Sequence, residues 1–214
     1  GNSTTATQTI TVEDTTAPEL TIPADYTVEC SDEMPMDDAS ATDNCGSITI
    51  DLVTDTIAGN AAGNYTITRT FTATDDAGNS TTATQTITVE DTTAPEFTFV
   101  PEDATYECSD SDNILYEDAI ASDNCGEVTI SLSTQTIETD AEGDYTIERT
   151  FTATDDAGNS TSVTQVITVQ DTTAPVFTST PSDVTIECTE MVPVDIFVSA
   201  EDACGNVTIS VTSA

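Results

Sequence analysis

The residues with chemistry to offer are aspartates, glutamates and cysteines, and they recur at fixed spacing. The string Asp75-Asp76-Ala77-Gly78-Asn79 returns as Asp155-Asp156-Ala157-Gly158-Asn159. Asp-Thr-Thr-Ala-Pro stands at 14–18, 91–95 and 171–175. Two cysteines accompany each copy: Cys30 and Cys45, Cys108 and Cys125, Cys188 and Cys204. Clustered carboxylates, helped by an Asn and backbone carbonyls, can supply the roughly six to eight oxygens that a calcium ion takes. The same loop is equally a good hairpin turn without any metal. The Asp-x-Asp-x-Asp-Gly spacing of an EF-hand is absent.

The charge balance narrows the choices. Forty acidic side chains face two basic ones, Arg69 and Arg149, and there is no His, for a formal net charge of −38. Such a chain repels nucleic acid and an anionic membrane surface, so neither is an expected partner. It attracts divalent cations; solubility in a salty medium is the plainer reason for the same excess. Catalysis is not expected. There is no His base, no Lys nucleophile and no Gly-rich phosphate loop. A carboxylate-pair glycosidase remains formally open, but acids that repeat in each copy fit a structural unit better than one active site. No apolar run approaches the ~20 residues of a membrane span, and no signal peptide stands at Gly1.

The elements that position these groups repeat too. Phe-Thr-Ala-Thr-Asp-Asp-Ala-Gly-Asn-Ser-Thr is identical at 71–81 and 151–161, and Gly1-Asn2-Ser3-Thr4 is the tail of the same string. The offsets between linkers are 91 − 14 = 77 and 171 − 91 = 80 residues. We therefore divide the chain into 1–13, the last strand of a preceding repeat; 14–90 and 91–170, two full repeats; and 171–214, the first part of another. That division implies a longer parent chain. Within a repeat the period is two, which signals strands. Tyr65, Ile67, Phe71 and Ala73 share one face against Thr66, Thr68, Thr70, Thr72 and Thr74, and Tyr145, Ile147, Phe151 and Ala153 keep that phase. Arg69 and Arg149 fall on the apolar face, where an Arg usually pairs with a carboxylate; Tyr65 and Tyr145 fit core packing. Many short strands in units of about 80 residues indicate an all-β protein: tandem immunoglobulin-like β-sandwich repeats arranged as a rod.

An even number of cysteines at regular spacing predicts one disulfide within each repeat, Cys30–Cys45, Cys108–Cys125 and Cys188–Cys204. Each would stabilise by about 3 kcal/mol and would put the protein outside the cytoplasm. Two cysteines without His are too few for zinc.

Strand alternation predicts where the acids meet. A strand leaving the linker and a second returning to it put Cys30 and the loop to Cys45 at the leading end of each repeat. The hairpin 75–79 then lies beside Glu13 and Asp14, and Asp155, Asp156 and Asn159 lie beside Glu90 and Asp91. The candidate calcium ligands are thus Glu13, Asp14, Asp75, Asp76, Asn79, Glu90, Asp91, Asp155, Asp156, Asn159 and Asp171. Asp43, Asn44, Asp123 and Asn124 are further candidates at that end, or shape the turn before the second cysteine. Asp140, Glu142 or Asp144 could join the junction at Asp171.

Thr72–Asn79, the strand Thr84–Val89 and Glu90–Pro95 together resemble hyalin-repeat (HYR) and bacterial Ig-like modules. With Val28-Glu29-Cys30 and Asp43-Asn44-Cys45-Gly46, the chain is most similar to repeats of Bacteroidota surface adhesins of the gliding-motility type. Hyalin repeats usually place their cysteines differently. The resemblance implies a giant adhesin on the cell surface, a multidomain rod, and calcium stiffening its junctions. The Asp-Thr-Thr strings also resemble the Bacteroidota O-glycosylation signal, which would place sugar on Thr15, Thr92 and Thr172. Asn2, Asn64, Asn79, Asn159 and Asn206 match Asn-x-Ser/Thr, a common chance match in Thr-rich chains.

Two functions follow. One is a stalk or spacer whose partners are neighbouring repeats of the same chain. The other is a subunit of a self-associating extracellular filament whose repeats contact copies of themselves. No aromatic cluster in the sequence marks a sugar or protein site, which favours the spacer.

Overall fold

A computed structural model describes residues 1–139, 143–188 and 197–212. The described residues are all-β apart from one 3-10 turn, Cys108–Asn113. They form two compact units. The first holds Gly1–Ala94 with Asp123–Val128 and Asp155–Asn159; the second holds Pro95–Ser122, Thr129–Thr154 and Ser160–Ala214.

In the first unit the strands are β1 (Glu19–Thr21), β2 (Tyr26–Glu29), β3 (Ser40–Thr42), β4 (Ile48–Ala58), β5 (Tyr65–Asp75) and β6 (Ser80–Glu90). β2, β6, β5 and β4 form one sheet in that order, while β1 and β3 form a second. β5 carries the predicted phase: Ile67, Arg69, Phe71, Ala73 and Asp75 are buried, and the threonines between them are half-exposed. Ile87 and Val89 of β6 meet Ile67, and Tyr26, Val28, Met34 and Tyr65 pack around them. Gly78, at φ +92°, turns β5 into β6, and Asp75 and Asn79 close the hairpin through their backbones. Such a turn suits glycine, which pays no Cβ penalty at positive φ. β4 is an outer strand paired with β5, and Asp51 and Asp55 on it blunt the exposed edge.

The second unit repeats this plan. Its strands are β7 (Glu96–Phe99), β8 (Ala104–Glu107), β9 (Ile120–Ser122), β10 (Val128–Glu138), β11 (Tyr145–Asp155) and β12 (Ser160–Gln170), then β13 (Val176–Ser179) and β14 (Ser199–Glu201). β10, β11, β12 and β8 make the four-stranded sheet, and β7–β9 and β13–β14 are two-stranded. Ile114, Ile147, Ile167 and Val169 form its core, with Tyr106 and Tyr145 against it. Residues 1–13 form no strand, and Ile10 and Val12 are exposed.

One pairing differs from the alternation expected. β2 runs parallel to β6, with Tyr26 opposite Ile87 and Glu29 opposite Glu90. The run from Pro18 to Cys30 follows β6 along its whole length. Thr81 Oγ1 donates to the Pro18 carbonyl, Gln85 Nε2 to that of Ala24, the Thr86 N–H to Asp25, and the Cys30 N–H to the Glu90 carbonyl. The chain changes sheets between β1 and β2 without reversing. Cys30 therefore lies at the trailing end of the sandwich, beside the end of β6. The same holds in the second unit, where Ala104 pairs with Ile167 and Glu107 with Gln170.

The two arginines are buried at 4% and 3% exposure. Their main partners are neutral. Arg69 Nη1 donates to Gln85 Oε1 and the Asp37 carbonyl, each at 2.9 Å; Arg149 repeats this with Gln165 and Glu117, each at 2.8 Å. Each guanidinium sits over a phenylalanine ring, Phe71 or Phe151. Arg149 adds a carboxylate, Asp118 at 3.5 Å. Among the described residues Arg69 has no ion pair, which corrects the expected carboxylate partner: an amide and a carbonyl satisfy it instead.

Candidate cation sites and cysteine staples

At the leading end of the first sandwich the linker, the loop after β3 and the β5–β6 hairpin converge. Asp14, Asp43 and Asp75 bring one carboxylate oxygen each to within 4.8 Å of one another. Asp91, Asp123 and Asp155 repeat the arrangement, also inside the first compact unit. Each acid is aimed by local hydrogen bonds. Asp14 Oδ1 accepts from the Thr16 N–H, and Asp43 Oδ2 from the Cys45 N–H at 2.9 Å. Asp91 Oδ1 accepts from Thr93 and Asp123 Oδ1 from Cys125. Asp75 takes the Asn79 N–H on Oδ1 and the Asn79 side-chain amide on Oδ2, both at 2.8 Å. Asp155 binds Asn159 in the same way and adds the Gly158 N–H. The second hydrogen of each amide goes to the linker: Asn79 Nδ2 to the Asp14 carbonyl, Asn159 Nδ2 to the Asp91 carbonyl.

These bonds leave acceptors over. Asp43 Oδ1 and Asp123 Oδ2 are buried without a hydrogen-bond partner. Buried polar atoms are almost always satisfied, so an orphaned oxygen beside two more carboxylates calls for a cation. No side chain supplies one: the chain has no Lys or His, and both arginines are engaged elsewhere. The Asp91 carboxyl is pushed up by burial, with the charges of Asp123, Asp155 and Glu29 adding to it. Asp75 is held below the ordinary carboxylate range, chiefly by the Asn79 amide. An all-oxygen acidic donor set of this kind fits a hard divalent cation.

At the trailing end a glutamate grips the next linker. Glu29 accepts the Thr92 hydroxyl on Oε2 at 2.7 Å, with further bonds from the Thr92 N–H and the Thr93 hydroxyl. Asn124 Nδ2 reaches Glu29 and Ser31. Glu107 holds Thr172 and Thr173 in the same manner, and these bonds bring its carboxyl down to about 2. Asn64 and Asp144 fix the residue before each threonine pair, accepting the N–H of Asp91 and Asp171 respectively. Sequence reading passed over Glu29 and Glu107. Their one signal was position, a glutamate directly before the first cysteine of each repeat.

The cysteines depart from the expected pairing. Cys30 bonds Cys125 and Cys108 bonds Cys204, with Cα–Cα distances of 6.1 and 5.9 Å and separations of 95 and 96 residues. The first cysteine of one repeat thus joins the second cysteine of the next. Cys45 and Cys188 are free and exposed. The reason is strand direction. Cys30 sits at the trailing end, whereas Cys45 sits at the leading end, where the N–H of Ser47, two residues on, donates to Asp76 of the hairpin. A strand as long as β6 separates the two, about 35 Å at ~3.4 Å per residue, far beyond disulfide reach. Gly63, at φ +79°, makes room for the bond: a Cβ there would lie 3.0 Å from that of Cys125 and 3.4 Å from that of Cys30.

Of the remaining candidate ligands, Asp76 accepts the Ser47 N–H and Asp156 lies beside Gly126. Glu13 and Glu90 are exposed and belong to neither triad. Asp171 lies near Glu107 and the Cys108–Cys204 bond, whose sulfurs are not ligands. Asp140 and Glu142 lie outside the described residues. The Thr92 and Thr172 hydroxyls donate to Glu29 and Glu107, and Thr15 is exposed. No helix among the described residues is long and apolar enough to cross a membrane.

Residues 18–89 match the family model described as an HYR-like domain with 4 cysteines. The matched segment carries two cysteines, Cys30 and Cys45. No curated protein matches the chain. Similar solved structures include Drosophila N-cadherin EC1-4, 15% identical with a TM-score of 0.33, covering 72% of this chain and 50% of that one. Protocadherin gammaB7 EC3-6 is 18% identical with a TM-score of 0.33, covering 86% and 55%. Human CDH23 EC21-23 is 14% identical with a TM-score of 0.33, covering 89% and 81%. The chain spans about half the length of the first two.

Proposed function

We propose that the chain is a spacer segment of a large extracellular cell-surface adhesin of the kind its motifs resemble, stiffened at its linkers by calcium and by disulfides between successive repeats. The observation that carries this reading is the pair of equivalent aspartate triads, each with a buried oxygen lacking a partner and no cationic side chain to answer it. Asp14, Asp43 and Asp75 would hold one ion, and Asp91, Asp123 and Asp155 another. Calcium would supply positive charge between a linker and a hairpin that otherwise repel. Asn79 and Asn159 hold the hairpin to the linker carbonyl, and Glu29 and Glu107 clamp the linker that follows. Each linker is thereby tied on both sides, which is what a spacer under tension requires. HYR-like similarity over residues 18–89 supports the extracellular repeat class. Thermal melting with calcium and with chelator tests the reading. Calcium should raise the melting temperature by several degrees; identical melting in both conditions would leave the triads as plain turn acids.

A further inference from the structure

The second unit carries an open cleft of about 650 Å³, with Phe99, Tyr106 and Leu115 on its apolar side and Glu102, Asp103 and Glu117 around them. That volume lies in the range of ligand sites, roughly 300 to 1,000 Å³. Its origin shows when the two units are compared strand for strand. Tyr26 pairs with Ile87 in the first, and Ala104 pairs with the equivalent Ile167 in the second. Ala104 therefore stands where Tyr26 stands. In the first unit that tyrosine packs on the core, and its hydroxyl donates to the Pro35 carbonyl at 2.7 Å. In the second unit the ring is missing. Tyr106, two residues on, packs on the core and lines the cleft without filling it. The strand before it differs as well. The run from Glu96 to Ala104 is one residue longer than that from Glu19 to Tyr26. The register of β7 slips between Phe97 and Phe99, and Phe99 is 42% exposed.

The acceptor for a phenol remains. Arg149 reaches the Glu117 carbonyl as Arg69 reaches that of Asp37, so Leu115 holds the place of Pro35. Its carbonyl is the counterpart of the one that Tyr26 bonds. Three carboxylates line the cleft, and Arg149 is spent on the Glu117 carbonyl and Gln165. A cleft that lacks a phenol, keeps the acceptor for one and is acidic suits a phenol flanked by positive charge.

We propose that this cleft docks a tyrosine side chain of a partner polypeptide that carries Lys or Arg beside that tyrosine. The ring takes the place that Tyr26 takes in the first unit. Its hydroxyl donates to the Leu115 carbonyl, and the basic neighbours meet Glu102, Asp103 and Glu117. A second copy of this chain does not fit: it has no Lys, its arginines are 4% and 3% exposed, and its charge of −38 repels. The inference goes beyond the spacer reading, because it gives one repeat a contact of its own, and it makes no use of the aspartate triads.

The test titrates the isotope-labelled 214-residue chain with the capped peptide Gly-Lys-Tyr-Arg-Gly in about 0.15 M salt, followed by nuclear magnetic resonance. Binding should shift the signals of Ala104, Tyr106 and Leu115 and leave those of Tyr26 and Met36 in place. Phe in place of the peptide's tyrosine should weaken binding about 5-fold, the loss of one neutral hydrogen bond. Leu there should weaken it by about 10-fold, the loss of the aromatic contact as well. Ala104→Tyr restores the ring of the first unit, so it should abolish binding and raise the melting temperature. Glu102→Gln with Glu117→Gln should weaken binding several-fold. Equal affinity for the Tyr and Leu peptides would mean charge attraction alone and would overturn the inference. So would full binding by a folded Ala104→Tyr chain, or a cleft that responds to a neutral oligosaccharide such as cellotriose and not to the peptide.

Discussion

The side-chain amide of Asn79 donates to the backbone carbonyl of Asp14, 3.2 Å away and 65 residues earlier. Its other hydrogen meets Asp75 Oδ2 at 2.8 Å. One small side chain therefore fastens the hairpin to the linker and aims an acid of the triad. Replacing Asn79 or Asn159 with Ala should lower the melting temperature by several degrees and weaken calcium binding by about 10-fold, the usual cost of losing a group that orients a ligand. Calorimetric calcium titration of each variant measures the second effect directly. Unchanged affinity would remove the amides from the account of the site.

The disulfide topology makes its own prediction. Closing a loop of 95 residues contributes about 4.7 kcal/mol in the chain-entropy model. Reduction should therefore shift denaturant unfolding by several kcal/mol in total. Peptide mapping of the oxidised protein should yield Cys30–Cys125 and Cys108–Cys204 peptides. Recovery of Cys30–Cys45 instead would reject the parallel β2–β6 pairing as well, since the two cysteines could then not lie at opposite ends.

Acid sensitivity follows from the glutamate clamps. The Thr172 hydroxyl and its neighbours hold Glu107 at about 2, and Thr92 lowers Glu29 in the same way. A carboxyl lowered in the folded state stabilises above its unfolded value of about 4.3, and that contribution fades as pH falls toward the folded value. Stability should thus drop between about pH 4.5 and pH 2, and Glu107→Gln should flatten that limb. Asp91 has the opposite sign: burial raises it, so without metal its ionisation costs stability as pH rises past its unfolded value. The calcium increment in melting temperature should accordingly grow from pH 4 to pH 7. A constant increment across that range would contradict the role given to Asp91.

Arg69 and Gln85 form a buried polar pair against Phe71. Arg69→Met should cost about 3 kcal/mol, because the Gln85 and Asp37 oxygens lose their donor. Gln85→Leu in the same chain should cost less than the sum of the single changes, with coupling of at least about 1 kcal/mol. Additive losses in chemical denaturation would mean that the two side chains act separately.

How legible this was in the sequence depends on the residue. The faces of β5 and β6 could be read because period two directly reports which side chains are buried, as at Ile67, Phe71 and Ile87. The hairpin at Gly78 and its approach to Asp14 were legible from turn chemistry and strand alternation. The direction of β2 was not. Periodicity at Tyr26 and Val28 gives a face but no partner, and an extended run that changes sheets at Ala24 and Asp25 looks like any two strands with a bend. That one ambiguity moved Cys30 from one end of the sandwich to the other and so reversed the cysteine pairing. Asp43 and Asp123 were legible as further candidates at that end or as turn residues, but their place in the triads was not, because the hydrogen bond that aims each of them comes from the backbone of a cysteine two residues on.

Calcium binding by the two triads is tested by the pair Asp43→Asn with Asp123→Asn. These changes delete the negative charge at the two orphaned oxygens while keeping side-chain size. Calorimetric titration of the wild type should show calcium binding at two sites per chain, with melting raised by several degrees. The double variant should lose both effects, yet melt no lower than wild type in chelator, because it relieves repulsion within each triad. A wild type that takes up no calcium, or a double variant that keeps the full calcium response, would contradict the account.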